Sequence, residues 1–241
     1  MSYKRILLKI SGESLSCTSP DTEQTFGINE DMLNKVVMDI KSVHDNGVQI
    51  AIVVGGGNFF RGATTSLPTL DRATADYVGM LATVMNATAL KSVLEHHGIE
   101  ARHMSAIPVS AVAEPYIRSR AIQHMNKGRV LIFSGGTGNP FFTTDTAAVL
   151  RASEIECDLL LKATKVDGIY CSDPKKNQSA KFYQYISYSQ VLQERLQVMD
   201  STAISLAREN KLPIAVFSIY EHNNFAKVLN NTTKFTLIKE E

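Results

Sequence analysis

Residues 134–148 read Ser134-Gly-Gly-Thr-Gly-Asn-Pro-Phe-Phe-Thr-Thr-Asp-Thr-Ala-Ala148. An apolar run, 130–133, precedes this stretch, and an apolar helical pattern, 147–150, follows it. The order is buried strand, exposed loop, helix start, the repeating unit of an α/β protein. Gly135, Gly136 and Gly138 let the backbone approach a ligand closely. Asn139-Pro140 turns the chain sharply. Thr143, Thr144 and Thr146 place hydroxyls where the helix begins, and Asp145 adds a carboxylate. Free backbone N–H groups at a helix start attract anions, so the loop reads as a cradle for a phosphorylated ligand.

The same alternation continues in both directions. Residues 5–10 form a strand candidate, and 48–54 are near-continuously apolar, as expected of a strand buried on both faces of a parallel sheet. Met32, Leu33, Val36, Val37, Ile40 and Val43 recur at helical spacing, with Asn29 as N-cap and Gly47 as the stop. A long helical pattern runs from about 71 to 97 and ends at Gly98. Residues 159–161, 213–219 and 235–238 read as further strands, and 201–210 as a helix capped by Asp200. The fold class predicted is α/β: a three-layer αβα sandwich around a mostly parallel central sheet, in a single domain. The polar segments 17–26 and 175–180 read as loops.

The chain has 241 residues, 44% of them hydrophobic, enough for one sizeable core. Lys plus Arg number 25 against 24 Asp plus Glu, a balance that argues against nucleic acid or an anionic membrane surface as the main partner. Cys17, Cys157 and Cys171 show no CxxC spacing, which argues against a disulfide framework or a zinc site and fits a reducing cytosol. The first ten residues lack a long apolar core and a small-residue cleavage site, and no apolar run approaches ~18 residues. The expectation is a cytoplasmic protein with no membrane segment.

In open parallel sheets, ligands sit beyond the carboxyl ends of the strands. Lys9-Ile10-Ser11-Gly12 ends the first strand and sets a cation beside a glycine turn, although a strand-end lysine ordinarily reaches to solvent. Gly55-Gly56-Gly57 follows the second, a row of amides suited to an anion, and Arg61 can clamp a phosphate. Phe60 stands where GxGxxG requires its third glycine, and GxxxxGK[ST] is absent, so two common nucleotide-binding signatures are missing. Lys162 follows the strand at 159–161, and Asp167-Gly168 and Asp173-Pro174 mark turns. Two lysines, an arginine, a glycine nest and an aspartate on neighbouring loops suit phosphoryl transfer, where catalysis is mainly positioning and charge stabilisation. A Mg²⁺ ion would be held largely by the donor phosphates and water.

KISGE at 9–13, GGGNFFRG at 55–62, MLATVMN at 80–86, MSAIP at 104–108, TGNPFFTTD at 137–145 and KATKVDG at 162–168 resemble the bacterial uridylate kinases, a branch of the amino acid kinase superfamily. The resemblance covers nearly the whole chain. It implies an amino acid kinase-like fold and the reaction ATP + UMP → ADP + UDP in pyrimidine nucleotide biosynthesis, with magnesium supplied as MgATP. It implies a UMP-binding part at roughly 1–150 and an ATP-binding part at roughly 151–241. Lys9, Ile10, Ser11, Gly12, Gly57 and Arg61 match the positions facing ATP phosphates, and Thr164, Tyr170 and Asp173 those holding adenosine. Gly56, Asp76, Thr137, Gly138, Asn139, Pro140, Phe141, Phe142, Thr143 and Thr144 match the UMP positions. Without the resemblance, Asp76 would read as a solvated helical carboxylate, and the two phenylalanines equally well as core.

The catalytic group expected is Lys9, Lys162 and Arg61, with Asp145 orienting the lysines. The acceptor phosphate has a second pKa of about 6, so it is mostly a dianion at neutral pH and needs no general base. A kinase acting on a carboxylate or carbamate would share the lysines and the glycine nest but lack TGNPFFTTD. A nucleotide-sensing module without activity would be expected to lose the lysines. The resemblance also implies a homohexamer inhibited by UTP. GTP activation is expected to be weak or absent, because Lys91 and Glu95 stand where responsive relatives tend to carry arginine and histidine. The segment 17–25 is longer than the short glycine-containing turn of many members and has no glycine.

Overall fold

The computed structural model describes residues 3–16, 26–60, 69–174, 177, 179–221 and 223–240. The strands in chain order are β1 (Arg5–Ile10), β2 (Gln49–Val54), β3 (Ala101–Ser105), β4 (Glu114–Pro115), β5 (Val130–Ser134), β6 (Leu159–Thr164), β7 (Ile169–Tyr170), β8 (Phe182–Tyr183), β9 (Tyr185–Ile186), β10 (Ile214–Ser218) and β11 (Thr236–Ile238). Among the described residues nine of them form one sheet in the order β4-β3-β5-β2-β1-β6-β10-β11-β9. All neighbours in it are parallel except the antiparallel pair β10–β11. β7 and β8 pair separately as an antiparallel ribbon.

Alternation along the strands builds two cores. Ile6, Leu8, Ile10, Ile50, Ile52 and Val54 face one side, where α1 (Glu30–His44) and α2 (Arg72–His96) pack. Leu7, Ala51, Val53, Leu131 and Leu160 face the other, against α3 (Arg118–Asn126), α4 (Thr144–Glu154), α5 (Tyr188–Gln193) and α6 (Ser201–Glu209). α7 (Asn224–Leu229) joins the first layer through Phe225 and Val228. The result is the expected three-layer α/β sandwich. Asn29 caps α1 by accepting from the Met32 N–H at 2.9 Å, and Asp71 caps α2 by accepting from Ala73 and Thr74.

α2 is the one helix among the described residues long and apolar enough to cross a membrane. Here it is a core helix: Met80, Ala87, Leu90 and Leu94 are buried, and so are the polar Thr83 and Asn86.

Several elements depart from the sequence expectation. β6 continues to Thr164, so Lys162 lies inside the strand rather than after it. β3 and α3 had no apolar signature: β3 carries Arg102 and His103, and α3 buries only Ala121 and Met125. Residues 17–25 and part of 175–180 lie outside the described residues.

β1 sits between β2 and β6, so the chain winds outward from it in both directions. The loops after β1, β2, β5 and β6 converge on that reversal point, where open sheets bind ligands.

Candidate active site

The parallel register of β1 and β6 places Lys9 directly beside Lys162. Both therefore point to the same face of the sheet, the face covered by α4. Thr143 caps α4: its hydroxyl accepts from the Asp145 N–H at 3.0 Å and the Thr146 N–H at 3.3 Å. This cap fixes Asp145 in the first turn, where the helix dipole favours a carboxylate. Asp145 Oδ1 lies 2.7 Å from Lys9 Nζ, and Oδ2 lies 2.5 Å from Lys162 Nζ. Lys162 also donates to the Val198 carbonyl at 2.5 Å.

All three side chains are largely enclosed, at 10% exposure for Lys9, 11% for Lys162 and 13% for Asp145. The lysines thus sit inside, not at a solvent-facing strand end. Burial opposes the charge on Asp145, but Lys9 and Lys162 outweigh it and hold the carboxyl below its ordinary value. Burial lowers the Lys162 ammonium, and neighbouring Lys9 adds to this against the attraction of Asp145. One carboxylate serves two ammoniums, so the cluster carries a net positive charge.

Asp200 caps α6 through the Ala203 N–H at 3.0 Å and accepts from the hydroxyls of Thr143 at 2.5 Å and Thr146 at 2.8 Å. It ties the start of α4 to the start of α6, in keeping with its reading as a cap.

The glycine turns after β1 and β2 pack closely against each other and against α2. A Cβ on Gly12 would meet Asn58 Oδ1 at 2.4 Å and Gly57 N at 2.8 Å. One on Gly56 would meet the Gly79 carbonyl of α2 at 2.7 Å. The Gly55 N–H already donates to the Ile10 carbonyl at 2.8 Å. Beneath this turn, Asn58 and Asn86 exchange amide hydrogen bonds at 3.0 and 2.7 Å, and Asn86 also donates to the Gly55 carbonyl at 2.8 Å. Both asparagines are buried. Arg61 lies outside the described residues.

The loop after β5 is held on α2. Its Gly135 N–H donates to the Thr83 hydroxyl at 2.7 Å. Phe141 adopts a left-handed φ of 72°, and its N–H donates to Asp76 Oδ2 at 2.8 Å. Both Asp76 oxygens also accept from Arg72 Nε, at 3.0 and 2.9 Å. Asp76 is therefore a loop anchor, not a free surface carboxylate. Phe141 and Phe142 are 68% and 49% exposed, which removes the core reading for both. Thr137 closes a local turn by accepting from the Asn139 N–H at 3.2 Å.

On the other side of Lys162 opens a cavity of ≈ 790 Å³. Thr164, Tyr170, Asp173 and Glu13 line it together with Lys162 and Val198. A cavity of ≈ 720 Å³ between Tyr3, Cys157 and Leu212 contains none of the site residues. Burial pushes the Cys157 thiol up, so it is a poor nucleophile.

The arrangement sets a shared ammonium pair between a loop cradle and a nucleotide-sized cavity. The sequence reading had not singled out Asn58, Asn86 or Thr83 individually. The local signal of Thr83 and Asn86 is a polar residue in an otherwise apolar, small-residue stretch of helix, and that of Asn58 is its place directly after the three glycines.

A model of the amino acid kinase family matches residues 4–218. The chain is 57% identical over 240 residues to the uridylate kinase of Rickettsia typhi, a match covering 100% of this chain and 96% of that one. It is also 57% identical to the uridylate kinase of Rickettsia bellii, over 100% and 98% of the two chains. Among solved structures, UMP kinase from Bacillus anthracis matches with a TM-score of 0.94 at 40% identity, over 100% of this chain and 98% of that one. UMP kinase from Ureaplasma parvum matches with a TM-score of 0.92 at 35% identity, over 100% of both. By its strand order, its converging loops and these full-length matches, the chain belongs to the amino acid kinase family and, within it, to the uridylate kinases.

Proposed function

We propose that this protein transfers the γ-phosphoryl group of ATP to UMP, giving ADP and UDP, as a step of pyrimidine nucleotide synthesis. The observation that carries the proposal is the pair Lys9–Lys162 held on one carboxylate, between the 134–148 loop and the ≈ 790 Å³ cavity. ATP enters the cavity, with its base near Thr164, Tyr170 and Asp173 and its phosphates toward Lys9, Ile10, Ser11, Gly12, Gly57 and Arg61. UMP lies against Gly56, Asp76 and the segment from Thr137 to Thr144.

The main barrier is repulsion between two polyanions. Lys9 and Lys162 lower it by balancing charge on the transferred group and the leaving oxygens. Asp145 touches neither substrate; it positions both ammoniums. The UMP phosphate attacks as a dianion, so no side chain has to remove a proton.

Magnesium bound to ATP would supply charge neutralisation on the donor phosphates. Asp145 is engaged by two lysines and Asp200 by two hydroxyls and a backbone N–H, so such an ion would be held chiefly by phosphate and water oxygens. Among the described residues no group of three or more His, Cys, Asp or Glu converges on a metal position.

The acceptor half corresponds to roughly 1–150 and the donor half to roughly 151–241, and the protein acts in the cytoplasm. The assembly proposed is a homohexamer, and the exposed stripe Tyr77, Leu81 and Met85 along α2 supports self-association of some kind. UTP inhibits as a uridine nucleotide competing for the UMP loop. GTP activates weakly or not at all. Lys91 pairs with Glu95 at 3.4 Å, and Glu100 takes both Arg102 at 2.7 Å and Arg129 at 2.8 Å, so the local cations already have acidic partners.

A coupled ADP-release assay with UMP, CMP, acetylglutamate and carbamate tests the acceptor. Turnover strongest with UMP supports the proposal; its absence with UMP removes it.

A further inference from the structure

The family match ends at residue 218, yet the chain after it returns to the donor cavity. Lys234, just ahead of β11, places its Nζ 2.8 Å from Asp167 Oδ2 and donates to the Tyr170 hydroxyl at 2.8 Å. Tyr170 in turn donates to Asp167 Oδ1 at 2.7 Å, closing a three-membered ring of contacts. The Lys234 ammonium also lies 4.3 Å from the centre of the Phe182 ring and 5.1 Å from that of Tyr170. Those two rings meet edge to face at 5.3 Å. Hydrogen bonds to Asp167 and then Tyr170 raise the Lys234 pKa, so it stays charged throughout the neutral range.

Independent contacts bring the same segments together. The Ile169 N–H donates to the Thr236 hydroxyl at 2.8 Å. Gly168 has a φ of 155°, and a Cβ there would meet both Phe182 and the Thr236 hydroxyl at 2.6 Å. The turn 167–170 is thus clamped by the segment 234–236, and Gly168, Ile169 and Tyr170 of that turn also line the cavity, Tyr170 being the one whose side chain Lys234 holds.

We propose that Lys234 is a positioning residue for the donor nucleotide: it fixes the Tyr170 ring through its hydroxyl and neutralises Asp167 beside a site for a polyanion. Lys234 does not line the cavity, so it acts through these two neighbours. The inference rests on the reading of that cavity as the ATP site.

Three variants test it: Lys234→Met, Lys234→Arg and the double variant Lys234→Met/Asp167→Asn, with Tyr170→Ala as the control for the cavity. Lys234→Met should raise the ATP KM about fivefold, equivalent to roughly 1 kcal/mol, while kcat and the UMP KM at saturating ATP stay within twofold. The rise should shrink in high salt, where the uncovered Asp167 charge is screened. Lys234→Arg should restore most of the affinity, and adding Asp167→Asn should recover part of it by deleting the bare carboxylate. An unchanged ATP KM in Lys234→Met beside a raised one in Tyr170→Ala overturns the inference and leaves the ATP site standing. An unchanged ATP KM in both overturns the site and the inference together. A rise in the UMP KM equal to that for ATP, unrelieved by the arginine, reduces Lys234 to a general fold contact and also overturns it.

Discussion

Replacing Asp145 by Asn keeps the shape of the side chain, removes its charge and turns an NH2 donor toward one of the two lysines. At an effective dielectric of ~20, a pair of opposite unit charges about 4 Å apart is worth about 4 kcal/mol. Asp145 makes two such pairs. The variant leaves two enclosed ammoniums on the order of 6 Å apart, which repel by about 3 kcal/mol at the same dielectric. Part of this is relieved by proton loss from Lys162, whose pKa is already lowered. A net loss of about 3–5 kcal/mol at pH 7 follows, the range for breaking a buried ion pair by deleting one partner.

The sign with pH is set by the lysine. A lysine held below its unfolded pKa costs stability while it is protonated, and the cost fades as pH rises through the folded pKa. The gap between variant and wild type should therefore narrow as pH rises from neutral toward the ordinary lysine value of 10.5. In the wild type, the Asp145 carboxyl is held low, so its stabilisation is present above the ordinary 3.8 and disappears as pH falls through the folded value. Urea denaturation at neutral and at raised pH measures the gap. A loss below about 1 kcal/mol at pH 7, or one that does not narrow on raising the pH, refutes the picture of a carboxylate shared by two charged lysines.

Lys162→Ala should depress kcat by a factor of at least ~10² while changing UMP affinity far less, as for loss of one donor that stabilises developing charge. Steady-state kinetics with normal kcat would remove Lys162 from the mechanism. Asp76→Asn should mainly raise the UMP KM, by about tenfold, because one charged acceptor and the grip on the Phe141 loop weaken while the lysine pair is untouched. An unchanged UMP KM with lowered kcat would contradict that assignment. Initial rates at subsaturating ATP should change less than about twofold on adding GTP, since a twofold effect corresponds to well under 1 kcal/mol of coupling. Strong activation would show that the ion pairs of Glu95 and Glu100 open to admit a triphosphate.

The central strands were legible because burial on both faces leaves a strand almost without polar residues, as in Ile50 to Val54. β3 was not, since His103 is buried there with its ring bonded to the Ser134 hydroxyl at 2.7 Å. Burial lowers that histidine's pKa to about 4, so a side chain that reads as polar is neutral in the core. The caps Asn29 and Asp200 and the helix start at Thr143 follow from local chemistry, and the structure places each at a helix start. The meeting of Lys9, Lys162 and Asp145 depends on the β1–β6 register and the entry of α4, neither of which is a local property of the chain. Lys234 was illegible for the same reason: it reaches Tyr170 from 64 residues away, and Asp167 from further still.

Phosphorus NMR of a mixture of ATP, UMP, magnesium and the purified protein tests the central claim most directly. The account predicts UDP and ADP appearing in equal amounts as ATP and UMP decline, at a rate at least ~10²-fold lower in the Lys162→Ala variant. ADP accompanied by inorganic phosphate, with UMP unconsumed, would contradict it.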